Sequence, residues 1–347
     1  MAPRTAAQQR KAFEDLLKKL EPTVAKAFLD AVNAAAGAVD LGALTEAIKN
    51  GKIEEAVRII QRVQALYFPL DDAIRSAYIA GGQFVAGGLG LMKNPLNGNR
   101  VLISFDGRHP RAEAWTRSMA GTLIEGINAQ QIQMVRTVVA AGLQAGRHSS
   151  AIALDIVGRK NLITGKREGG FLGLNSGQTD TLITAWEDLA SGDPKRMKHY
   201  LNLKSRDRRF DAIVNKAIKD GTKIPTKTID AISQGHKSKM LLQRGKTIAK
   251  DQAHTALASG QHEGWAQLIE SGAVKAEDVT KRWQHSLNIP ARPDHQAMSG
   301  TVVTFNQPFK MPDNTLMQHD HDPAGGPENN LHCHCYTFYR LRKGRNG

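Results

Sequence analysis

The chain has 347 residues, 41% of them hydrophobic and 23% charged, enough apolar material for two or three domains with buried cores. Lys and Arg outnumber Asp and Glu by 47 to 33, a net charge of +14, and aromatics make up only 5%. Frequent Ala and Gly with so few aromatics favour helices packed through small residues over a β-sandwich. No run of eighteen apolar residues exists, so no membrane span is expected. The N-terminal MAPRTAAQQRKAF lacks the apolar core of a secretory signal. Two cysteines, Cys333 and Cys335, do not make a disulfide framework, and synthesis in a reducing cytoplasm is expected.

The periodicity predicts helices from about residue 5 to 65. Phe13, Leu16, Leu17 and Leu20 fall at i, i+3, i+4, i+7 and form one apolar stripe, either core or a docking face for a partner. Pro22 is expected to end that helix or open the next, which carries Val24, Ala27, Phe28 and Ala31. After the Asn50-Gly51 break, Ile53, Val57 and Ile60 resume the pattern. Gly81, Gly82, Gly87, Gly88 and Gly90, followed by Pro95, Asn97, Gly98 and Asn99, read as a loop or hinge. No GKS or GKT follows these glycines, which excludes a nucleotide-binding P-loop. Val101–Phe105 reads as a short strand or extended connection.

From about 110 to 142 a helical stripe holds Trp115, Met119, Leu123, Ile127, Ile132, Val135 and Val139. Ser149-Ser150 offers an N-cap for a helix with Ile152, Ile156 and Val157. A glycine-rich loop over 164–178 opens a further helix at about Gln178. Between Lys195 and Lys250 stand sixteen basic residues against four acids, so this segment carries +12 and the rest of the chain only +2. Lys195, Arg196, Lys198, Lys204, Arg206, Arg208 and Arg209 lead it. So local a field either attracts a polyanion, double-stranded DNA first of all, or forms the solvated face of basic helices. A break at Pro225 and a helix at about 237–270 follow.

The last sixty residues are richer in Pro, Asn, Asp and Gly. Val302–Phe305 and Cys335–Tyr339 read as strands, which gives a small α+β domain. The fold class is therefore mainly α, with multi-helix N-terminal and middle regions followed by this C-terminal domain. The expected partition is 1–100, 101–240 and 241–347.

This C-terminal domain carries, in order, Ile248-Ala249-Lys250-Asp251-Gln252, Trp283, Arg292 and His295 in an R-x-x-H, Ser299-Gly300, Phe305, Phe309, Asp322-Pro323, Gly325-Gly326-Pro327 and a closing Cys333-x-Cys335. By this series it resembles the phage Mu F-like head morphogenesis family. The resemblance covers about residues 240–337. Two stretches further upstream, 158–174 and 191–218, are similar to the middle regions of long family members. The pattern is altered at Lys250-Asp251-Gln252, which replace the family's Arg-Thr-Glu, at Asn288, where the family has Asp, at Pro290 and Pro293, and at His332 and His334, which replace the Asn and Arg of N-C-R-C. The resemblance implies a minor capsid protein of a tailed phage, made in the bacterial cytoplasm and carried in the virion at the portal vertex. It implies portal protein as partner, with major capsid protein, scaffolding protein and packaged DNA as further contacts. It implies no enzymatic activity. The alternative is a DNA-binding or nuclease or toxin-type effector carried in the virion.

Six of the twelve histidines lie between His285 and His334, beside both cysteines. On a strand, Cys333 and Cys335 would share one face and His332 and His334 the other. The two thiolates with His295 and either His319 or His321 could hold a structural zinc ion. Two buried free thiols among surface histidines is the plainer alternative. A Cys333 or Cys335 nucleophile with His295 as base finds no supporting oxyanion context. The remaining histidines, at 109, 148, 199, 236, 254 and 262, read as isolated and mostly at the surface.

Overall fold

The structure, a computed structural model, describes residues 4–89, 91–93, 100–286 and 289–342. It is mainly helical, with short antiparallel strands concentrated in the C-terminal region. The first helix, α1 (Ala6–Ala38), runs through Pro22 instead of breaking there. Pro22 is exposed, so water can satisfy the carbonyl it leaves free, and buried Phe13, Val24 and Phe28 hold the helix on either side. Then come α2 (Leu41–Lys49), capped by Asp40 Oδ1 on the Ala43 amide at 2.9 Å, and α3 (Ile53–Gln61). Gly51 takes a φ of +68° between them, as the Asn50-Gly51 break predicts.

Next is α4 (Phe68–Leu89), and here the glycines do the opposite of what was expected. Gly81, Gly82, Gly87 and Gly88 lie inside this helix, not in a loop or hinge. The reason is a close crossing with the later α10 (Thr226–Glu270). A Cβ on Gly81 would sit 2.1 Å from the Leu257 carbonyl oxygen, and one on Gly260 would sit 1.9 Å from that of Tyr78. Only glycine lets the two backbones approach so closely, and the burial this permits offsets its weak helix propensity of about 1 kcal/mol. Gly90, Pro95, Asn97, Gly98 and Asn99 lie outside the described residues. Strands β1 (Leu91–Lys93) and β2 (Arg100–Leu102) pair antiparallel, with Met92 opposite Val101.

The middle of the chain supplies α5 (Pro110–Gln144) and α6 (Ser149–Val157). The cap of α6 is His148, whose Nδ1 accepts from the Ser150 amide, and not the two serines. A hairpin of β3 (Arg159–Lys160) and β4 (Arg167–Glu168) follows. Asn175 and Gln178 form a reciprocal capping box at the start of α7 (Ser176–Ala190). Asp193 and Pro194 open α8 (Pro194–Asn202), and α9 (Asp211–Asp220) ends on left-handed Gly221. The 45-residue α10 begins one residue after Pro225. Beyond it lie β5 (Val279–Gln284), α11 (Pro293–Ala297), β6 (Val302–Thr304), β7 (Phe309–Lys310), β8 (Leu316–Met317), α12 (Gly326–Asn330) and β9 (Tyr336–Leu341). The central β5 pairs with β6 and β9, both antiparallel, and β7 pairs with β8.

By compactness the chain divides into two units, each discontinuous in sequence. One gathers Met1–Ala25, Asp71–Ala120 and Lys246–Gly347; the other gathers Lys26–Leu70 and Gly121–Gly245. In the first unit residues 252–261 of α10 are buried on every side. Phe13 packs there with Phe84, Leu257 and Tyr336, and Leu16, Leu17 and Leu20 are packed against the same cluster. The N-terminal stripe is therefore core and not a free docking face. In the second unit Leu189, Met197, Tyr200, Val214 and Ile232 join α7 to α10 into another core. No described helix is by itself long and apolar enough to cross a membrane.

Candidate functional site

The site residues of the C-terminal region converge through loops. Strand β5 places Trp283, fully buried, at its far end, and the chain returns through the short α11 with His295 on its inner side. Gly300 closes the return: its amide donates to the Trp283 carbonyl at 2.8 Å, and its φ is +90°. The Trp283 indole meets the His295 ring edge to face at 5.5 Å and that of Phe309 at 5.4 Å. Arg292, at the N-cap of α11, donates to the carbonyls of Asn329 and Leu331, which ties α11 to the segment before the cysteines. Asp322 accepts from the Gln318 and Ala324 amides, and Pro323 opens the turn that leads into α12.

Cys333 and Cys335 do not lie on a strand. They occupy the extended segment before β9, after His332 at a φ of +57°. Both thiols nevertheless reach the same imidazole nitrogen: each Sγ stands 3.3 Å from His295 Nδ1. The Cys335 amide points at Cys333 Sγ, also at 3.3 Å. On the far side of the ring His295 Nε2 meets Asn329 Oδ1 at 3.2 Å, and Asn329 Nδ2 donates to Asp313 Oδ2 at 3.0 Å. That amide oxygen can only accept, so it holds a ring proton on Nε2, and Nδ1 faces the sulfurs. The ligand atoms of His295, Cys333 and Cys335 all lie within 4.8 Å of one another, and this group could hold a metal ion.

The electrostatics of the group are those of two thiols sharing one negative charge. Hydrogen bonding from Cys335, followed by His295 and His321, pushes the Cys333 thiol well below its usual range against the effect of burial. The same contact with Cys333, together with burial, pushes Cys335 far up. Burial disfavours the His295 cation, but the hydrogen bond and charge of Cys333 prevail and raise it above the ordinary histidine value. Cys333 and Cys335 are only 6% and 1% exposed. A pocket of about 220 Å³ borders all three residues, together with Arg292 and Ser286.

His319 does not belong to this group. Its Nδ1 lies 2.7 Å from the Asp320 carbonyl, and its ring lies against His262. His321 approaches Cys333 at its carbonyl oxygen, where Nε2 donates at 3.0 Å. Beside these, Asp320 is fully buried and accepts from His254 Nε2 at 2.8 Å and from the Thr337 amide at 2.7 Å. The rings of His254 and His321 stack at 3.8 Å. His254 and His236 are thus internal, not surface residues, at 6% and 1% exposed. Sequence reasoning also missed Asn329, Asp313 and Asp320.

The basic segment is divided in its roles. Arg206 makes paired bonds to Asp211, at 2.9 Å each, Arg209 pairs with Asp207, and Arg196 with Asp188. Lys237 and Arg244 are buried: Lys237 Nζ pairs with Asp155 at 2.8 Å, and Arg244 donates to the Gly173 carbonyl. Lys195, Lys198, Lys204 and Arg208 are exposed.

Residues 209–338 match the family described as "Phage Mu protein F like protein". The match begins within the basic segment and takes in every residue of the His–Cys–Cys group. No curated protein and no solved structure gives a significant match to the chain.

Proposed function

We propose, from the membership of residues 209–338 in the Phage Mu protein F like family, that the chain is a minor head protein of a tailed phage acting at the portal vertex. The family match is the observation that carries this reading. The protein takes part in head assembly and in DNA packaging or delivery by contact with portal, capsid and scaffolding proteins, without substrate turnover. Exposed Lys195, Lys198, Lys204 and Arg208 supply charge that suits packaged DNA; Arg196, Arg206 and Arg209, paired to carboxylates within the chain, contribute less net field. The test is quantitative protein analysis of purified proheads and virions. The expected result is co-purification with portal in low copy number. Absence from both particles, or turnover of an ester, peptide or nucleic acid by the pure protein, would overturn the reading.

The His–Cys–Cys group supports a zinc ion as a structural element of this domain. Two thiols and an imidazole are the donor set that suits zinc, and tetrahedral Zn–S and Zn–N bonds imply S···N separations of about 3.5 Å, close to those observed. Asn329 on the far ring nitrogen is the kind of partner that orients a ligating histidine. Zinc would fix both cysteines as thiolates and tie α11 to the segment before β9. Elemental analysis of protein purified without chelator is expected to find near-stoichiometric zinc, lost in Cys335→Ser. Metal-free wild-type protein would leave two buried thiols bonded to a histidine.

A further inference from the structure

The loop joining β3 to β4 presents the two most exposed large apolar side chains among the described residues. Leu162 is 96% exposed and Ile163 95%; Phe68, the next, is 63% exposed. Burying a Leu or Ile stabilises by roughly 1.5–3 kcal/mol, so two of them held in water at one tip need an explanation.

The tip is held rigidly. Asn161 Oδ1 accepts from the Ile163 amide at 2.8 Å and the Thr164 amide at 3.2 Å, and its carbonyl accepts from Gly165 at 2.8 Å. Gly165 supplies a φ of +69°. Asn161 Nδ2 reaches both carboxylate oxygens of Glu168 at 3.1 Å across the hairpin. The base is equally fixed. Gly158 has a φ of +83°, and a Cβ there would lie 2.7 Å from the Glu168 carbonyl oxygen. The outgoing chain bonds back to α6, Phe171 to Asp155 and Leu172 to Ile156. Asp155 in turn is clamped by Lys237 and Arg147. Around the tip stand exposed Arg159, Lys160 and Lys166, with Asp30 3.6 Å from Lys166.

We propose that this hairpin is a docking knob for a partner protein: Leu162 and Ile163 enter an apolar pocket whose rim carries carboxylates facing Arg159, Lys160 and Lys166. Within the head-protein reading, on which this rests, the partner is a protein of the assembling head. The N-terminal stripe cannot serve, because its side chains are packed into the core. Pre-organisation favours a protein pocket, since a fixed backbone lowers the ordering cost of fitting a shaped cavity. A lipid surface needs no such order. Two aliphatic side chains without an aromatic make a weak anchor for a bilayer.

The experiment compares full-length wild type, Leu162→Ser/Ile163→Ser and Lys160→Glu/Lys166→Glu for copies incorporated per prohead. Circular dichroism and melting check each fold, which the exposed tip should leave unchanged. At least a tenfold loss is expected for the tip variant and a smaller, salt-dependent loss for the collar variant. Normal incorporation of the tip variant would overturn the docking proposal while leaving the head-protein reading intact. Absence of wild type from proheads would overturn that reading and the proposal with it. Co-sedimentation with phosphatidylglycerol vesicles, lost in the tip variant, would make the hairpin a membrane element and overturn protein docking.

Discussion

Two buried polar clusters, one in each compact unit, resolve the same physical problem in different ways. In the second unit Asp155 is flanked by Lys237, at 2.8 Å, and Arg147, with Asp230 3.2 Å from the arginine. Two cations face two carboxylates, and Lys237 also lies over the Phe171 ring at 4.4 Å. Burial alone would raise the Asp155 carboxyl, but Lys237 and Arg147 hold it below the ordinary range. Charge is balanced within the cluster, so it needs no ligand. In the first unit two thiols converge on a single imidazole nitrogen, 3.3 Å from each sulfur. The proposed zinc ion would take all three donor atoms at once. One cluster pairs its charges off internally, while the other crowds three donor atoms around a single point.

The largest expected effect tests the closed cluster. Asp155→Asn leaves the Lys237 ammonium buried beside a neutral amide, and should cost about 3–5 kcal/mol in denaturant unfolding. It should also loosen the hairpin base, which depends on the same segment, whereas chelators should leave that part of the molecule unaffected. A loss under about 1 kcal/mol would mean that Arg147 and water compensate. The open cluster should respond in the opposite manner. With free zinc at a hundred times its dissociation constant, linkage contributes about 2.7 kcal/mol, which a chelator would remove. Melting with and without chelator, for wild type and Cys333→Ser, reads this directly; equal melting curves would place the first unit's cluster with the self-satisfied kind.

A smaller effect, about 2 kcal/mol between pH 7 and pH 5, is expected from His236 in the second unit. Burial, helped by Lys239, lowers its folded pKa to about 4. In the unfolded chain the imidazole takes up a proton near pH 6.5. Stability from this group is therefore complete above that pH and is lost as the pH falls from 6.5 toward 4. His236→Gln should flatten the slope, though it disturbs the 2.9 Å contact with Ser205. An unchanged slope would assign the acid sensitivity to the carboxylates.

Much of this molecule was legible along the chain because the signals are local. Helix periodicity, the Asn50-Gly51 break, the Pro225 boundary and the small α+β end all depend on residues close in sequence. So does the ordered series from Trp283 to Cys335 on which the family resemblance rests. The failures share a cause. Gly81 and Gly82 resemble a loop until Gly260 and Gly264 come to lie against the same helix. Pro22 resembles a terminus until the burial around it outweighs a lost hydrogen bond.

What the sequence by itself determined was the helical class and the C-terminal α+β region; it offered His295 beside both cysteines as one of two readings. Only the tertiary structure brought His295 within 3.3 Å of both thiols, left His319 apart from them and set Asn329 against the far nitrogen of the His295 ring. Tertiary structure alone also turned the Phe13 stripe inward, drew Lys237 and Arg244 out of the basic surface, and left Leu162 and Ile163 outside. Each of these is a choice of partner between residues far apart in the chain. Such choices are set by which surfaces can be buried together, a quantity that no local pattern encodes.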